Sequence, residues 1–367
     1  MMQNYKIQNL SVTARILVNA EALNMAESVG NYTRHRKAPV VVPGEDGYSI
    51  IYVPAVSGES LAHAYQSILT QIATQRGLPV TEMDRQGYYM KFSDENIIKS
   101  YYANELMKAL NAKEAKEVLN ELNKKSQADI ERLVLLSSVV ADVGGFLYTD
   151  KLVKKTSAIR FAYLTPAIDA LNTRGASIVP QLHVRYTPEA KRGEQAIFYV
   201  ESGSALYTLT AQLLLSDIGR ITMDPNLSDD ELNKQRGSRI EAAVDALMFL
   251  VDGMLFGAKR SRYLPQWDMR SLLLGVSSGP VEFNVTPGLS KDYIKRSYDR
   301  AITLSKALNG SMKIDLFAFN AEKGYLEEPQ RAAESTGVSY SEVSSSAEAF
   351  SKAKEVIKSF LRGSEKG

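Results

Sequence analysis

Side chains suited to covalent or metal chemistry are scarce in this chain of 367 residues. It contains no cysteine, which excludes disulfides, thiolate metal sites and a cysteine nucleophile. Its three histidines are His35, His63 and His183, so a histidine metal site would need all of them or the help of carboxylates. We therefore expect no metal and no cofactor. The remaining candidates for chemistry or binding are histidine acid–base groups and cationic side chains.

Cationic side chains gather at three places, although the formal net charge is only +2. The first is 31–37, which reads Asn-Tyr-Thr-Arg-His-Arg-Lys, and the third is 257–265, which reads Gly-Ala-Lys-Arg-Ser-Arg-Tyr-Leu-Pro. Between them, 151–195 carries eight Lys or Arg residues against three acids, interleaved with aromatic residues. Cations beside aromatic rings suit the phosphates and stacked bases of single-stranded nucleic acid. The alternative interpretation of such clusters is a solvated loop.

A predicted helix start at 57–60 adds a possible phosphate site. Pro54 ends a β-branched run, and Ser57 stands where it can cap a helix whose apolar residues follow at helical spacing. Ser57, Gly58 and Ser60 would leave backbone N–H groups beside small hydroxyls and let another backbone approach, which suits a phosphate. The alternative is an ordinary serine-capped helix.

Strands and helices must position these groups, and periodicity predicts where they lie. Strands are expected at 11–19, 38–42, 48–53, 195–215, 271–275 and 313–319, and helices from 57, from 240 and over 291–308. Gly203 is expected to mark a bulge or bend in the longest strand. Two strand-and-helix units with polar or cationic junctions indicate a split βαβ sheet with helices on one face.

Composition indicates further regions. Residues 93–150 are rich in helix formers and indicate a helical insertion, whereas 151–194 has the short alternating runs of a protruding basic hairpin. From Ala321 the chain is polar and rich in serine, and we expect it to be mobile up to a final amphipathic helix. No apolar run is long enough to span a membrane and the N-terminus is mostly polar, so we expect a cytoplasmic protein.

Several motifs, in this order, resemble those of one family. They are Ile16–Asn24 with Gly30–Arg36, Val56–Tyr65, Pro180–Tyr186, Glu201–Tyr207 and Phe256–Pro265. Together they are similar to the backbone subunit of archaeal type I-A CRISPR Cascade, a member of the DevR-like, seventh Cas protein family of the repeat-associated mysterious protein superfamily. The resemblance spans roughly 12–320 and leaves out the C-terminal tail.

The resemblance implies an α+β fold shaped like a right hand. A modified ferredoxin-like or RRM-like palm would comprise 1–92 and 195–320, with helical fingers at 93–150 and a β-hairpin thumb at 151–194. The remaining 321–367 would form the polar tail with its C-terminal amphipathic helix.

The resemblance also implies a non-catalytic role in antiviral defence. Copies of the chain would form a helical filament along one CRISPR RNA, assemble with other Cascade subunits and present the guide for pairing with target DNA. Phosphate contacts would be independent of sequence, as guide binding requires. Residues that would line the RNA groove are Asn19, Asn31, Arg34, His35, Arg36, Ser57, Gly58, Ser60, Arg160, His183, Arg185, Lys259, Arg260, Ser261 and Arg262.

Other functions remain open at the level of sequence. A CRISPR-transcript processing ribonuclease would use His63 or His183 as general acid or base, with a second group to stabilise charge. Metal-dependent cleavage, as in type III relatives, would need a loop aspartate such as Asp142 or Asp169. A DNA-binding autoregulator is least favoured, because no helix-turn-helix with a basic second helix is evident.

Overall fold

The structure is a computed structural model, and it describes residues 6–110, 112–171, 176–185, 196–330 and 337–364. The strands are β1 (Ile7–Glu21), β2 (Met25–Val29), β3 (Tyr32–His35), β4 (Lys37–Gly44), β5 (Gly47–Pro54), β6 (Phe146–Tyr148), β7 (Val153–Lys155), β8 (Ile159–Phe161), β9 (Thr165–Pro166), β10 (Ala176–Arg185), β11 (Ala196–Leu214), β12 (Gln266–Ser278), β13 (Lys313–Asn320) and β14 (Val338–Val343).

The helices begin with α1 (Gly58–Gln75) and end with α11 (Ser346–Ser364). Between them lie α2 (Glu82–Arg85), α3 (Glu95–Ile97), α4 (Ala103–Leu110), α5 (Val118–Asn123), α6 (Gln127–Ser137), α7 (Val139–Gly144), α8 (Ile168–Leu171), α9 (Asp230–Asp252) and α10 (Tyr293–Ala307). A π-helical segment, Ile98–Tyr102, joins α3 to α4, and a 3₁₀ turn, Ala115–Glu117, precedes α5. None of the described helices is long and apolar enough to cross a membrane.

Strand β1 forms the centre of the main sheet, between antiparallel β11 and β12. Leu213 of β11 pairs with Leu10 on one side and with Ile159 of β8 on the other, so the order is β12-β1-β11-β8. Along the chain, these four strands and the helices α1 and α9 follow in the order β1, α1, β8, β11, α9, β12. The sheet extends through β13, which pairs with β12, to β14, which runs parallel to β13.

The two faces of this sheet are covered differently. Apolar side chains of β1 such as Leu10 and Val12 share one core with α1, α9 and α11, and the Tyr65 hydroxyl of α1 donates to the Ala243 carbonyl of α9 at 2.9 Å. On β12, Leu273 points the other way and packs with α10. The expectation of helices on one face is therefore wrong for α10, because β12 and β13 are apolar on both sides.

The other face of β1 is polar and is covered by the chain itself. Alternate residues of β1 bond to the backbone of 283–288: Asn9 Nδ2 donates to the Phe283 carbonyl at 3.0 Å, and Ser11 Oγ accepts from the Val285 N–H at 3.1 Å. Thr13 Oγ1 accepts from the Gly288 N–H at 2.8 Å. These hydroxyls and amides satisfy buried backbone groups, which would otherwise be costly to bury. This part of the sheet face is closed to ligands.

The helices from α3 to α7 pack around a second core, in the stretch where composition predicts a helical insertion. Tyr102 stacks on Phe92 there, with ring centroids 4.0 Å apart. Buried charges connect this unit to the main sheet layer. Asp142 of α7 pairs with Arg239 of α9 at 2.9 Å and with Lys155 of β7 at 3.3 Å.

A hairpin lies where the thumb is predicted, with different limits. Strand β10 pairs with the beginning of β11, from Ala176 opposite Ala205 to Arg185 opposite Ala196. Half of this ladder, 196–205, therefore lies beyond the predicted thumb limit of 194, and β11 continues from it into the centre of the sheet. Strands β8 and β9, assigned to the thumb by sequence, pair with the later part of β11. Residues 172–175 and 186–194 of the predicted thumb, and residue 195, lie outside the described residues.

Two other stretches differ from expectation. The polar connection at 31–37 contributes β3, which pairs with β2. The tail contributes β14, whose parallel ladder with β13 orders part of the stretch that we expected to be mobile. The predicted hairpin of β4 and β5, the serine-capped α1 and the final helix are confirmed. A register shift of β1 between Val18 and Glu21 lies opposite Gly203, where a bulge was expected.

Candidate nucleic-acid interface

Leu23 and Asn24, which follow the end of β1, connect three of the predicted site segments; we call this pair the junction. Asn24 Oδ1 accepts hydrogen bonds from Arg36 Nε at 2.9 Å and from the Ser57 N–H at 3.0 Å. The Arg36 N–H donates to the Asn24 carbonyl at 2.8 Å, and the Ala258 N–H donates to the Leu23 carbonyl at 2.9 Å. The turn after β3, the start of α1 and the basic loop after α9 therefore meet here.

A buried acid–base network lies directly beneath the junction. Glu21 accepts from the Leu23 N–H at 2.6 Å, from the Tyr207 hydroxyl at 2.6 Å and from His35 Nε2 at 2.8 Å. Glu201 accepts from the His35 N–H at 2.8 Å and from the Tyr32 hydroxyl at 3.1 Å. The network joins β1, β3 and β11, and thereby fixes the junction to the sheet.

This network holds Glu21 and His35 as a charged pair. Burial alone would raise the pKa of Glu21, but the hydrogen bond and charge of His35, with Tyr207 and the Leu23 N–H, lower it overall. Burial likewise opposes protonation of His35, yet the hydrogen bond and charge of Glu21 raise its pKa overall. The His35 side chain is fully buried in this network, and the residue also borders a groove beside the junction, so its contact with RNA stays a prediction.

The basic loop, residues 257–263, lies against the junction. Gly257 has a φ of +112°, and a Cβ there would collide with Leu23, so this position requires glycine. Burial, and then the charge of Arg262, lower the pKa of Lys259. No carboxylate among the described residues lies within ion-pair distance of Lys259, Arg260 or Arg262. Neighbouring cations without an acid between them favour an anionic ligand.

The thumb hairpin reaches this loop through His183. Its ring stacks on Phe198, with centroids 5.2 Å apart and planes at 18°, and meets the Tyr263 ring edge-on at 5.6 Å. His183 Nε2 and the Tyr263 hydroxyl also form a hydrogen bond. Arg185 is the last described residue of β10 and lies further along the same strand. The hairpin is thus fixed beside Lys259–Arg262.

The start of α1 serves packing more than anion binding. Ser57 is buried, its N–H is held by Asn24, and its Oγ accepts from the Ser60 N–H at 3.3 Å. The backbone that approaches Gly58 belongs to Phe161, whose carbonyl oxygen would lie 2.7 Å from a Cβ at residue 58. The small residues at 57–60 are therefore explained by the fit of this helix start against Asn24 and β8.

The remaining predicted residues form no hydrogen bond to the junction. Asn31 donates to the Ile197 carbonyl at 3.0 Å, and exposed Arg34 pairs with Glu27 at 3.1 Å. Asn19 is exposed on β1 opposite Gln266. Arg160 of β8 pairs loosely with Glu282 at 3.7 Å, close to the segment that covers the polar side of the sheet. The structure does not bring Arg160 together with the basic loop.

A groove of about 750 Å³ opens beside the junction. Its walls include Arg34, Arg36 and Lys37 together with Tyr32 and Tyr52. Glu27 and Glu201 also line it, and both are engaged by neighbours, Arg34 and Tyr32 respectively. Cations and aromatic rings therefore border the same space.

Sequence reasoning missed Glu21, Asn24 and Tyr52 as functional candidates, and it named Lys37 only as part of the cationic stretch 31–37. Asn24 lies within the first family motif, Ile16–Asn24, but nothing in its spacing indicates that it joins Arg36 to Ser57. Tyr52 was read only as part of a strand. Its place at the groove follows from the fold of the hairpin β4–β5 against the rest of the chain.

The residues considered for catalysis have other surroundings. Asp142 is buried between Arg239 and Lys155, and Asp169 pairs with buried Arg15 at 3.0 Å. His63 is exposed on α1, where its ring meets that of Tyr89 edge-on at 5.1 Å. The described residues contain no cluster of acids and histidines that could hold a metal ion.

Comparison with known proteins agrees with these observations. A family described as "CRISPR-associated negative auto-regulator DevR/Csa2" matches residues 12–298. The chain is 35% identical over 326 residues to "CRISPR-associated protein Cas7/Csa2 1" of Saccharolobus solfataricus, covering 87% of this chain and 95% of that one. It is 38% identical over 309 residues to "CRISPR-associated aCascade subunit Cas7/Csa2 2" of the same organism, covering 83% and 89%.

Two solved chains match this one with TM-scores below 0.5. Chains from a "CRISPR RNA-guided surveillance complex" and from a "CRISPR RNA-guided surveillance complex, pre-nicking" have TM-scores of 0.46 and 0.48. The sequence identities are 10% and 12%, and in both cases 95% of this chain and 99% of the other are covered.

Fold and site define an α+β protein with clustered cations and aromatic rings at one end of a mixed sheet. The chain belongs to the DevR/Csa2 family of CRISPR-associated proteins, of the Cas7/Csa2 type. The family resemblance predicted from the sequence motifs is confirmed.

Proposed function

We propose that this protein is a non-catalytic subunit that binds CRISPR RNA in an antiviral Cascade complex. The observation that carries the proposal is the convergence of the turn after β3, the start of α1 and the basic loop at the junction, with the thumb hairpin held against the basic loop. Lys259, Arg260 and Arg262 are presented there without carboxylate partners among the described residues. Such cations suit the backbone of a guide RNA, whose sequence varies while its phosphates do not.

The order of the central strands supports an RRM-like palm. Strands β1, β8, β11 and β12, with α1 and α9 between them, follow the β-α-β-β-α-β order of ferredoxin-like folds. In RRM domains the bases stack on the sheet face. Here 283–288 covers that face of β1, so we place the RNA at the junction end of the sheet instead.

The surroundings of the histidines support a binding role over cleavage. His35 is buried and paired with Glu21, and His183 is held by Phe198 and Tyr263. His63 is exposed, but among the described residues its ring meets only that of Tyr89 and no charged group that could stabilise a transition state. A general acid or base must reach the scissile phosphate and exchange its proton there. The buried ring of His35 cannot do so, and the contacts of His183 orient its ring for stacking and packing.

The thumb hairpin supports assembly with further copies of the chain. Leu182, Val184 and Ile197 lie on its face opposite His183 and are all exposed. Exposed apolar side chains on a projecting ribbon favour contact with another protein. We infer that this face packs on a neighbouring copy along the RNA, that other Cascade subunits cover the ends of the filament, and that target DNA is met through the guide.

Charge removal in the basic loop tests RNA binding. Replacing Lys259, Arg260 and Arg262 by alanine should weaken binding of single-stranded RNA equally for unrelated sequences. The log–log dependence of affinity on salt should become shallower by about 0.7 for each lost phosphate contact. The matched control replaces Lys113, Lys124 and Lys125, exposed lysines of the helical insertion, and should leave the slope nearly unchanged. Equal slopes in both triple variants would contradict the proposal.

A further inference from the structure

The hairpin β4–β5 carries an apolar face that is open to solvent. Directly opposed pairs place Pro39 with Tyr52, Val41 with Ile50 and Pro43 with Tyr48 on one side of the ribbon; we call these six residues the front face. Tyr48 is 82% exposed, Tyr52 73% and Ile50 66%. Large aromatic residues left so open indicate a surface with a binding role.

The back of the ribbon is packed against the rest of the chain at its base. Ala38 and Val53, on the opposite side, are buried, and β5 lies against β10. Ile51 faces a cleft that it shares with Leu171 and Ile178. Packing of the back therefore holds the ribbon in place and leaves the front face for a ligand.

The front face continues into the cationic groove. Tyr52 borders the same groove as Arg34, Arg36 and Lys37, and Lys37 is exposed at the base of the ribbon. A row of cations ending in exposed tyrosines is the combination that binds phosphates and stacks bases of a single strand. A purely protein partner would account for the tyrosines but leave the adjoining cations unexplained.

The spacing along β5 fits bases inserted between side chains. Alternate residues of a strand lie about 7 Å apart on one face, so Tyr48, Ile50 and Tyr52 form successive steps. That distance is about twice the 3.4 Å separation of stacked bases. One base therefore fits between neighbouring side chains, in contact with an aromatic plane on one side and with Ile50 on the other.

We propose that the front face is a base-stacking platform on which Tyr48 and Tyr52 hold bases of the bound single strand. The inference rests on the proposed function and extends it, because the basic loop would hold phosphates while the ribbon holds bases. Tyrosine accepts any base on its ring, so the platform is compatible with a guide of variable sequence.

The test compares a mixed-sequence single-stranded RNA with an oligonucleotide of equal length and charge that lacks bases. The full-length protein should bind the RNA more tightly than the abasic strand. Tyr48→Ala and Tyr52→Ala should each reduce RNA affinity by roughly fivefold or more and leave affinity for the abasic strand unchanged. Tyr48→Phe and Tyr52→Phe should retain wild-type affinity. Tyr88→Ala, which removes an exposed tyrosine from another part of the surface, is the matched control.

The outcomes separate the two proposals. Wild-type protein that binds neither strand would overturn the proposed function. The stacking platform alone would be overturned if the wild-type protein binds RNA but the alanine variants lose the same affinity for both strands. It would also be overturned if they lose no affinity for either strand. A third outcome is that the alanine substitutions change the sedimentation mass of the RNA-free protein and leave its RNA affinity intact. That result would mean that the front face binds a second copy of the chain, and it would also overturn the stacking platform.

Discussion

At the scale of single residues, Asn24 holds together segments that are far apart in sequence. Its side-chain oxygen accepts from both Arg36 and Ser57, and its carbonyl accepts a further bond from Arg36. Asn24 is mostly buried, so an unmatched donor left there would have little access to water. One amide thereby sets the relative position of the start of α1 and the turn after β3.

Asn24→Ala should lower the free energy of unfolding by about 1–3 kcal/mol, because the Ser57 N–H loses its acceptor in a buried place. Chemical denaturation measures the change. Asn24→Asp retains an acceptor at the same atom and should recover most of the loss. Similar destabilisation by both substitutions would show that the hydrogen bonds to Oδ1 matter little.

Glu21 and His35 should make stability depend on pH. The pKa of His35 is raised above its ordinary 6.5, so the contribution of the pair is complete below that pH and is lost as pH rises through the raised value. Because the pKa of Glu21 is lowered, this carboxylate stays ionised above pH 4.5, its ordinary pKa. The pair loses its contribution to stability in acid, as pH falls below 4.5 and through the lowered value. Charged neighbours are Glu201 of β11 and the cations at Arg34 and Arg36, while Tyr207 and Tyr32 supply hydroxyls.

Melting temperatures measured from about pH 5 to 8 test this pair. The wild type should lose stability toward the alkaline end as His35 gives up its proton. Glu21→Gln should be less stable near pH 5 and should gain stability toward pH 7, because burial then lowers the pKa of His35 without this opposing carboxylate and the unfolded state binds the proton more readily. Parallel curves for the two proteins would exclude an ionised pair.

At the scale of elements, α11 completes the main core. Ala349, Phe350, Ala353 and Ile357 are fully buried among residues of the sheet. Phe350→Ala should therefore lower the free energy of unfolding by about 3–5 kcal/mol. The exposed position Glu355 on the same helix provides the control, since Glu355→Ala should change stability little. If both substitutions changed the free energy of unfolding equally little, α11 would not be packed on the main core.

The thumb hairpin should govern assembly without governing folding. Leu182→Asp with Ile197→Asp places charges on its exposed apolar face, opposite His183, and should abolish RNA-dependent oligomers in sedimentation. Val281→Asp alters an exposed apolar position elsewhere and should assemble normally. If oligomers persist in the double variant, the hairpin does not form the contact between subunits.

Helices and strands whose apolar residues recur with a clear local period could be predicted from the sequence. Strands that form only because they pair with a distant strand could not. The alternating run before Pro54 and the cap at Ser57 gave the β4–β5 hairpin and α1 correctly. Strand β14 was missed, because its polar sequence becomes a strand only through its ladder with β13. Strand β3 was missed for the same reason, since partners on β2 and β11 order it.

The candidate site could be predicted only in part. The basic loop and His183 were found by composition and motif, and the structure brings them together. Glu21 and Asn24 act through hydrogen bonds between distant segments, which no local spacing reveals. His35 and Ser57 were assigned to the surface because their residue types suit phosphates, whereas tertiary packing buries both.

At the scale of the whole molecule, one end of the sheet collects the cations, the aromatic ribbon and the thumb hairpin. The polar side of β1 is sealed by 283–288, and α1, α9 and α11 cover the other side. An extended RNA is therefore expected to cross the junction end, where a neighbouring copy could continue the same groove. Such a filament would bind phosphates in register along the guide.

The most direct test is to purify the protein from its native host and sequence the nucleic acid that accompanies it. CRISPR RNA, with spacers flanked by repeat sequence, is the predicted result. The variant that lacks Lys259, Arg260 and Arg262 should recover much less of it. Duplex promoter DNA in its place, or clean protein that cleaves added repeat RNA, would contradict a non-catalytic guide-binding subunit.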